Sequence, residues 1–398
     1  MVDSRGSPSF QSLHLNGSPQ AWPSQVAARH HGVGDPTHPA IVSAPSGERS
    51  VSDERHPSID NMNPLLALQS DATKILSSLL PSGTHVALLD FPRHQNAGDS
   101  FIWLGTLMYL KEIGVSVDYV ADVHCFDIAD LRRCVPTGPI LITGGGNFGD
   151  RWTEHQNFRE MLITSFPDRQ IIQLPQSLDF ESKDGLEKAQ IALNGHPDLT
   201  ILLRQSVDMA RAKEWFPNSE HIFCPDLALG LGKLEKNGQA AHDVVLLLRE
   251  DSEAVAGRDV AAFSELEYKL TDWHLDLKSQ FMWHIYRLPE NIARVLPISR
   301  PHLLNAIQWS YVKAANLNLR GGIKTVSMGR VLVTDRLHGM FLGALLGLPT
   351  IAIDNANGKV LGIFRDYLNT FTHVEMAESL DDAARRAKSI LSSQFSNN

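Results

Sequence analysis

Apolar positions in this chain fall into short runs separated by stretches with helical spacing, and the pattern begins near residue 61. Pro64-Leu65-Leu66-Ala67-Leu68, then Ile75, Leu76, Leu79 and Leu80, repeat at helical spacing and stop at Pro81-Ser82-Gly83, which predicts a helix closed by a turn. The runs 86–89, 117–120, 139–143, 170–174, 200–203 and 221–223 read as strands, and 100–113 as a helix ending at Gly114. Ser206 is placed to cap the helix after 200–203. A second set follows, with strands at 243–249, 331–334 and 350–353 and helices at 301–319 and 339–346. Continuous apolar runs alternating with helices are what parallel strands covered on both faces require, so the expected class is α/β.

The interruptions set the expected boundaries. Residues 1–60 are rich in Ser, Pro, Gly and His, contain no lysine and show no periodicity, and are expected to form a disordered tail. The histidines there are too irregularly spaced to suggest a metal tract. A Gly/Lys/Asn-rich stretch at 230–242 divides the remainder into an expected N-terminal domain, 61–235, and a C-terminal domain, 236–398. Residues 253–287, with Trp273 and Trp283, are less regular and read as an insertion.

Composition narrows the function classes. The 398 residues carry a net charge of -9, which argues against general nucleic-acid binding but leaves room for a focused basic pocket. The three cysteines, Cys125, Cys134 and Cys224, form no CxxC pair and no zinc-like set with histidine, so neither a metal nor a disulfide is expected. No signal-peptide pattern is visible and no apolar stretch reaches the ~20 residues of a spanning helix, so a cytoplasmic protein is expected.

The candidate chemistry sits where strands give way to helices, the ligand-binding end of open α/β sheets. Asn96 and Asp99 open the helix after the first strand and can cap it or meet a hydroxylated substrate. Gly144-Gly145-Gly146-Asn147 follows another strand; its N–H groups can converge on an anion, or the block is a tight turn. It is neither a dinucleotide fingerprint nor a P-loop. Arg204 leaves strand 200–203 and can present a planar fork to carboxylate or phosphate, or simply form an ion pair. In Thr334-Asp335-Arg336-Leu337-His338-Gly339 an anion would meet a guanidinium and a helix N-terminus together, with His338 as a proton donor or acceptor; pairing of Asp335 with Arg336 is the alternative. Lys359, in Asp354-Asn355-Ala356-Asn357-Gly358-Lys359, can reach the same cleft or lie in a surface turn.

The blocks N96-A-G-D99, G144-G-G-N-F-G149, L174-P-Q-S177, Arg204, T334-D-R-L-H-G339 and D354-N-A-N-G-K359, in this order, resemble the polysaccharide pyruvyl transferase family. The similarity runs from about residue 84 to 370, excepting 250–300. It implies a GT-B-like fold of two Rossmann-type domains with parallel sheets facing an interdomain cleft. It also implies transfer of pyruvyl from phosphoenolpyruvate, a co-substrate, to a sugar as a cyclic ketal, with no cofactor. Arg204, Arg336, Leu337 and His338 match the donor pocket, joined by Gly145, Gly146 and Lys359. His338, Asp99 and Asp335 are the expected acid–base groups, and Asn96 and Asn147 the expected acceptor contacts. The acceptor would be an exopolysaccharide sugar or lipid-linked oligosaccharide, met at the inner face of the membrane or beside membrane-bound biosynthetic enzymes. Two alternatives are a nucleotide-sugar glycosyltransferase of the same architecture and a catalytically silent glycan-binding member.

Overall fold

The computed structural model describes residues 63–250, 259–355 and 358–396, so the expected tail lies outside the described residues. The first half runs α1 (Pro64–Leu79), β1 (His85–Leu89), α2 (Ala97–Glu112), β2 (Ser116–Ala121), α3 (Ile128–Cys134), β3 (Ile140–Ile142), β4 (Gly145–Phe148), α4 (Thr153–Ser165), β5 (Ile171–Leu178), α5 (Lys183–Asn194), β6 (Leu199–Leu203), α6 (Ser206–Trp215) and β7 (Glu220–Phe223). The second runs β8 (His242–Leu247), β9 (Tyr268–Thr271), α7 (Leu277–Tyr286), α8 (Leu288–Val295), α9 (Arg300–Val326), β10 (Gly329–Thr334), α10 (Leu337–Leu346), β11 (Thr350–Ile353), α11 (Lys359–Asp366), β12 (Val374–Ala377) and α12 (Leu380–Ser396).

These strands build two parallel sheets of Rossmann type, ordered β2-β1-β3-β5-β6-β7, with β4 paired to β5, and β12-β11-β10-β8-β9. Strand order reverses between β1 and β3 in the first sheet and between β8 and β10 in the second. The connections there leave to opposite sides and open a crevice at the carboxyl ends of the strands. Asp90, Thr143, Arg249 and Asp335 stand at those four exits.

Three local features depart from the sequence expectation. The glycine block is partly strand: β4 pairs with β5 at Gly145↔Gln176 and Phe148↔Leu178. β5 contains Pro175, which has no N–H for a ladder, and its register with β6 shifts between Gln173 and Gln176. The stretch read as an insertion is, over its described part 259–287, integral to the second sheet, because β9 is its edge strand, paired with β8. Ser206 is the first residue of α6 rather than its cap; Gln205 stands at the cap, and the Ser206 N–H and hydroxyl both donate to Asp366, at 2.8 and 2.6 Å.

One hydrophobic cluster runs from the inner face of the first sheet, through α2 and α9, to the second sheet. Helix α9 belongs by sequence to the C-terminal half yet packs on the first: Gln308 Nε2 donates to the Val117 carbonyl, and Tyr311 Oη accepts the Asp122 N–H at 3.0 Å. Tyr311 stacks on Phe91 with ring centroids 3.9 Å apart. The two sheets therefore share a packed interior, which fixes the loops that face each other across the crevice.

Candidate active site

A cavity of about 500 Å³ lies at both switch points. It gathers Asn96, Asp99, Gly144, Gly146, Asn147 and Arg204 from the first half with Arg336, Leu337, His338 and Lys359 from the second. Two expected residues do not line it. Gly145 turns through a φ of 138° beside it, and Asp335 is buried behind it, with Oδ1 accepting the Arg249 N–H at 2.8 Å.

Arg204 is held by two side-chain hydrogen bonds. Its Nε donates to Ser177 Oγ at 2.9 Å and its Nη1 to Asp226 Oδ2 at 2.6 Å, and the residue is buried. A Cβ added at Gly146 would stand 3.2 Å from Nη2, so glycine there keeps that nitrogen uncovered on the cavity side. The alternative of an ion pair is thus realised, and the pair itself lines the cavity. The same carboxylate of Asp226 lies 3.4 Å from His338 Nε2, close enough for charge pairing although the hydrogen-bond geometry is not met. Burial pushes Asp226 up, but His338 and Arg204 outweigh it and hold the acid far below the usual carboxylate range. The Asp226 carboxylate is thus a ready counter-ion for an imidazolium at 338.

The His338 ring packs against Phe341 at 5.5 Å and edge-on to Phe101 at 6.4 Å. Gly98, in the first conspicuous block, has a physical reason: a Cβ there would lie 2.5 Å from His338 Nδ1. Arg336 forms a two-pronged ion pair with Asp272 through Nε and Nη2. It stands at the cap position of α10, whose first turn receives no side-chain cap, so the N–H groups there remain oriented for an anion. Lys359 is buried and donates from Nζ to Asp179 Oδ2 at 2.8 Å, which places it in the cavity wall instead of a surface turn.

The glycine block rests on a buried polar network. Arg159, fully buried, donates to Gln173, Gln156 and Asn147 at 2.6–2.7 Å and stacks its guanidinium 4.5 Å from the Phe148 ring centroid. Burial lowers its pKa to about 10. Gln176 donates to the Thr143 carbonyl and to Asn147 Oδ1. L174-P-Q-S177 therefore aligns Asn147 through Gln176 and Arg204 through Ser177. Asn147 spends its carbonyl oxygen on Arg159 and Gln176 and donates Nδ2 to Asp90 at 3.1 Å, while Asn96 caps α2 and donates to Asp99 at 2.9 Å.

Sequence reasoning missed a second acid–base pair in the same cavity. His155 on α4 has Nδ1 2.7 Å from Asp90 Oδ1, and both residues line the cavity. Asp90 has a φ of 68°, the left-handed region that is costly for a residue with a Cβ, by ~1–3 kcal/mol. In that conformation its carboxylate meets His155 Nδ1 and Asn147 Nδ2 together. Burial lowers the His155 pKa, but the bond to Asp90 and its charge raise it further, for a net upward shift. Nothing in the spacing of residues 90 and 155 announces this pair.

The model of the family described as polysaccharide pyruvyl transferase matches residues 96–357, more than half of the chain. The chain belongs to the polysaccharide pyruvyl transferase family. A Bacillus subtilis protein provisionally named pyruvyl transferase EpsO is 27% identical over 316 residues, 78% of this chain and 93% of that protein. Pyruvyl transferase 1 of Schizosaccharomyces pombe is 27% identical over 305 residues, 72% of this chain and 70% of its own length. A crystal structure of a functionally uncharacterized Klebsiella pneumoniae protein superposes with a TM-score of 0.51 at 17% identity, covering 78% of this chain and 99% of that one, which supports the shared fold. Membership makes the protein a transferase, and the matched region contains both Arg204 and the Arg336-Leu337-His338 triplet. Among the described residues no helix is long and apolar enough to cross a membrane.

Proposed function

We propose that the protein transfers a pyruvyl group from phosphoenolpyruvate to a sugar of an exopolysaccharide or its lipid-linked precursor, forming a cyclic ketal and releasing phosphate. The observation that carries this reading is the convergence of Arg204 and Arg336, from opposite sheets, on one cavity that also holds His338 and the uncapped start of α10. A donor with both a carboxylate and a phosphate needs two cationic forks and oriented N–H groups.

In the proposed sequence His338, as imidazolium beside Asp226, gives its proton to the methylene carbon of the donor. Positive charge develops at the carbon bearing the phosphate, and the first sugar hydroxyl oxygen bonds to it. His155, oriented by Asp90, takes that hydroxyl proton; Asp99, also in the cavity, serves the second hydroxyl. The second oxygen then bonds to the same carbon as its bond to phosphate breaks, so the ketal closes and phosphate leaves. Leu337 supplies an apolar wall, and Lys359 with Gly146 completes the anion side. This domain pairing and chemistry correspond to a GT-B-like architecture used without a nucleotide.

The test is incubation of the purified protein with phosphoenolpyruvate and a panel of sugar and lipid-linked acceptors, following phosphate release and the mass of the glycan. We expect both with at least one acceptor. Arg336→Lys should raise the KM for phosphoenolpyruvate about tenfold, because a point charge replaces a bidentate fork. An acceptor panel without response, together with donor binding equally weak in wild type and His338→Ala, would remove the donor assignment.

A further inference from the structure

Helices α7 and α8 turn an apolar row away from the fold. Leu277, Phe281 and Ile285 recur at every fourth residue of α7, and Ile292, Val295 and Ile298 continue the row through α8 and the turn behind it. All six are exposed, Leu277 by 84% and Ile298 by 87%. The opposite faces of these helices are already committed: Trp283 is buried with the Arg287 guanidinium 4.0 Å from its ring centroid, and Glu290 and Ala293 are buried. The outward side chains therefore add nothing to the core of this chain, and six exposed large apolar residues within 22 positions mark an interaction surface.

Charge identifies what it meets. From Leu277 to Thr334 the chain carries eight lysines and arginines, although the whole chain is -9. Arg287, Arg300, Lys324 and Arg330 pair with acids, Lys324 with Asp276 at the cap of α7, and the others are Lys278, Arg294, Lys313 and Arg320. Lys278 and Arg294 are exposed beside the row. Lys313 lies 5.9 Å from the ring centroid of the exposed Trp309, itself edge-on to Tyr286. An apolar row rimmed by cations, with a Trp–Tyr pair at its border, is what an interfacial helix presents to an anionic membrane. A second copy of the chain fits less well, because a symmetric contact would bring the same cations together.

We propose that the α7–α8 face docks the protein onto an anionic lipid bilayer, with the apolar row at the acyl boundary and Lys278, Arg294 and Lys313 among the headgroup phosphates. Trp273, just before α7, lines the cavity, and Arg93, in the loop whose Pro92 and His94 also line it, donates to Asn291 of α8 at 3.1 Å. Docking thus brings the cavity rim to the membrane surface, where a lipid-carried glycan would be held. That last step rests on the pyruvyl-transfer reading; the docking itself does not.

Co-sedimentation of the full chain with vesicles tests it, using phosphatidylcholine alone and an equimolar mixture with phosphatidylglycerol. The protein should pellet with the anionic vesicles, and high salt should release much of it. Phe281→Ser with Ile298→Ser should lower the partition coefficient about a hundredfold, roughly tenfold for each apolar side chain withdrawn. Lys278→Glu with Arg294→Glu should lower it at least about fivefold for each charge. Phosphate release with a water-soluble acceptor should be unchanged in both variants. The proposal is overturned if the full chain stays in the supernatant with both vesicle types, or if the apolar variant pellets as the wild type does. A dimer that dissociates on the apolar substitutions, with no vesicle binding, would assign the face to a second copy and overturn it too. Failure of the pyruvyl-transfer reading would appear instead as no phosphate release alongside intact pelleting.

Discussion

Asp122, at the exit of β2, carries the most quantitative prediction. Its Oδ1 accepts the N–H groups of His124 and Cys125 at 2.9 and 2.7 Å, whereas Oδ2 is buried without a hydrogen-bond partner and lies 3.4 Å from Arg93 Nε. Glu290 of α8 binds the same Arg93 and also Arg287, so two buried carboxylates face one another across a shared guanidinium. Burial first, then the Glu290 charge, push Asp122 up from 3.8 to about 7. Against its own burial, Arg287 and Arg93 hold Glu290 below its usual range. Asp122 is therefore the member that keeps a proton.

The sign follows from linkage. Between the two values the folded protein binds a proton that the unfolded chain has released, so this contribution to stability is complete below the unfolded pKa and is lost as pH rises toward about 7. Between pH 5 and pH 8 the loss is on the order of 2–3 kcal/mol. Asp122→Asn keeps the Oδ1 acceptor and replaces the protonated oxygen with an NH₂ that can donate toward Glu290. Relative to wild type, the variant should gain on the order of 2–3 kcal/mol between pH 5 and pH 8. Urea unfolding of both proteins, followed by tryptophan fluorescence across that range, measures the difference. If the two stability profiles run parallel within about 0.5 kcal/mol, Asp122 is ionised in the folded protein and the proton assignment is wrong.

Two further substitutions probe the cavity directly. Gly98→Ala places a methyl group where it would stand 2.5 Å from His338 Nδ1, so the imidazole must shift; phosphate release should fall at least about tenfold while the thermal midpoint stays within a few degrees, since alanine is the better helix former. Asp226→Asn removes the counter-ion that Arg204 and His338 share, and kcat should fall about a hundredfold with a change in the pH–rate profile that a purely structural loss would not produce; an unaltered profile would detach Asp226 from His338.

How far the chain could be read in advance depended on whether the signal was local. The buried central strands announced themselves because each is a continuous apolar run that only a parallel sheet covers on both faces. β4 could not, since Gly145, Gly146 and Asn147 are types depleted in strands, and its pairing with β5 is supported by the network of Arg159, Gln173 and Gln176. β9, Tyr268–Thr271, is an exposed edge strand, and it lacks the dense apolar run that marked its neighbours. His155 and Asp90 were invisible as a pair because a helix and a strand exit meet only in the folded chain.

The three cations found by their place at strand exits and helix starts each hold an acid: Arg204 with Asp226, Arg336 with Asp272, Lys359 with Asp179. Each acid also follows a strand, Asp226 after β7, Asp272 after β9 and Asp179 after β5. The strand-exit rule that singled out the cations applies equally to their counter-ions, and it was the focus on anion-binding groups that left these acids out. Their presence solves the problem posed by buried cations in a protein that must also exist without its substrate. An uncompensated buried guanidinium is costly, and a mobile one loses its geometry. A fixed carboxylate beside each cation meets both requirements. This distinguishes the pairs from ordinary salt bridges. They stabilise little by themselves, and their contribution lies in presenting two rigid guanidinium forks and one ammonium where both switch points open.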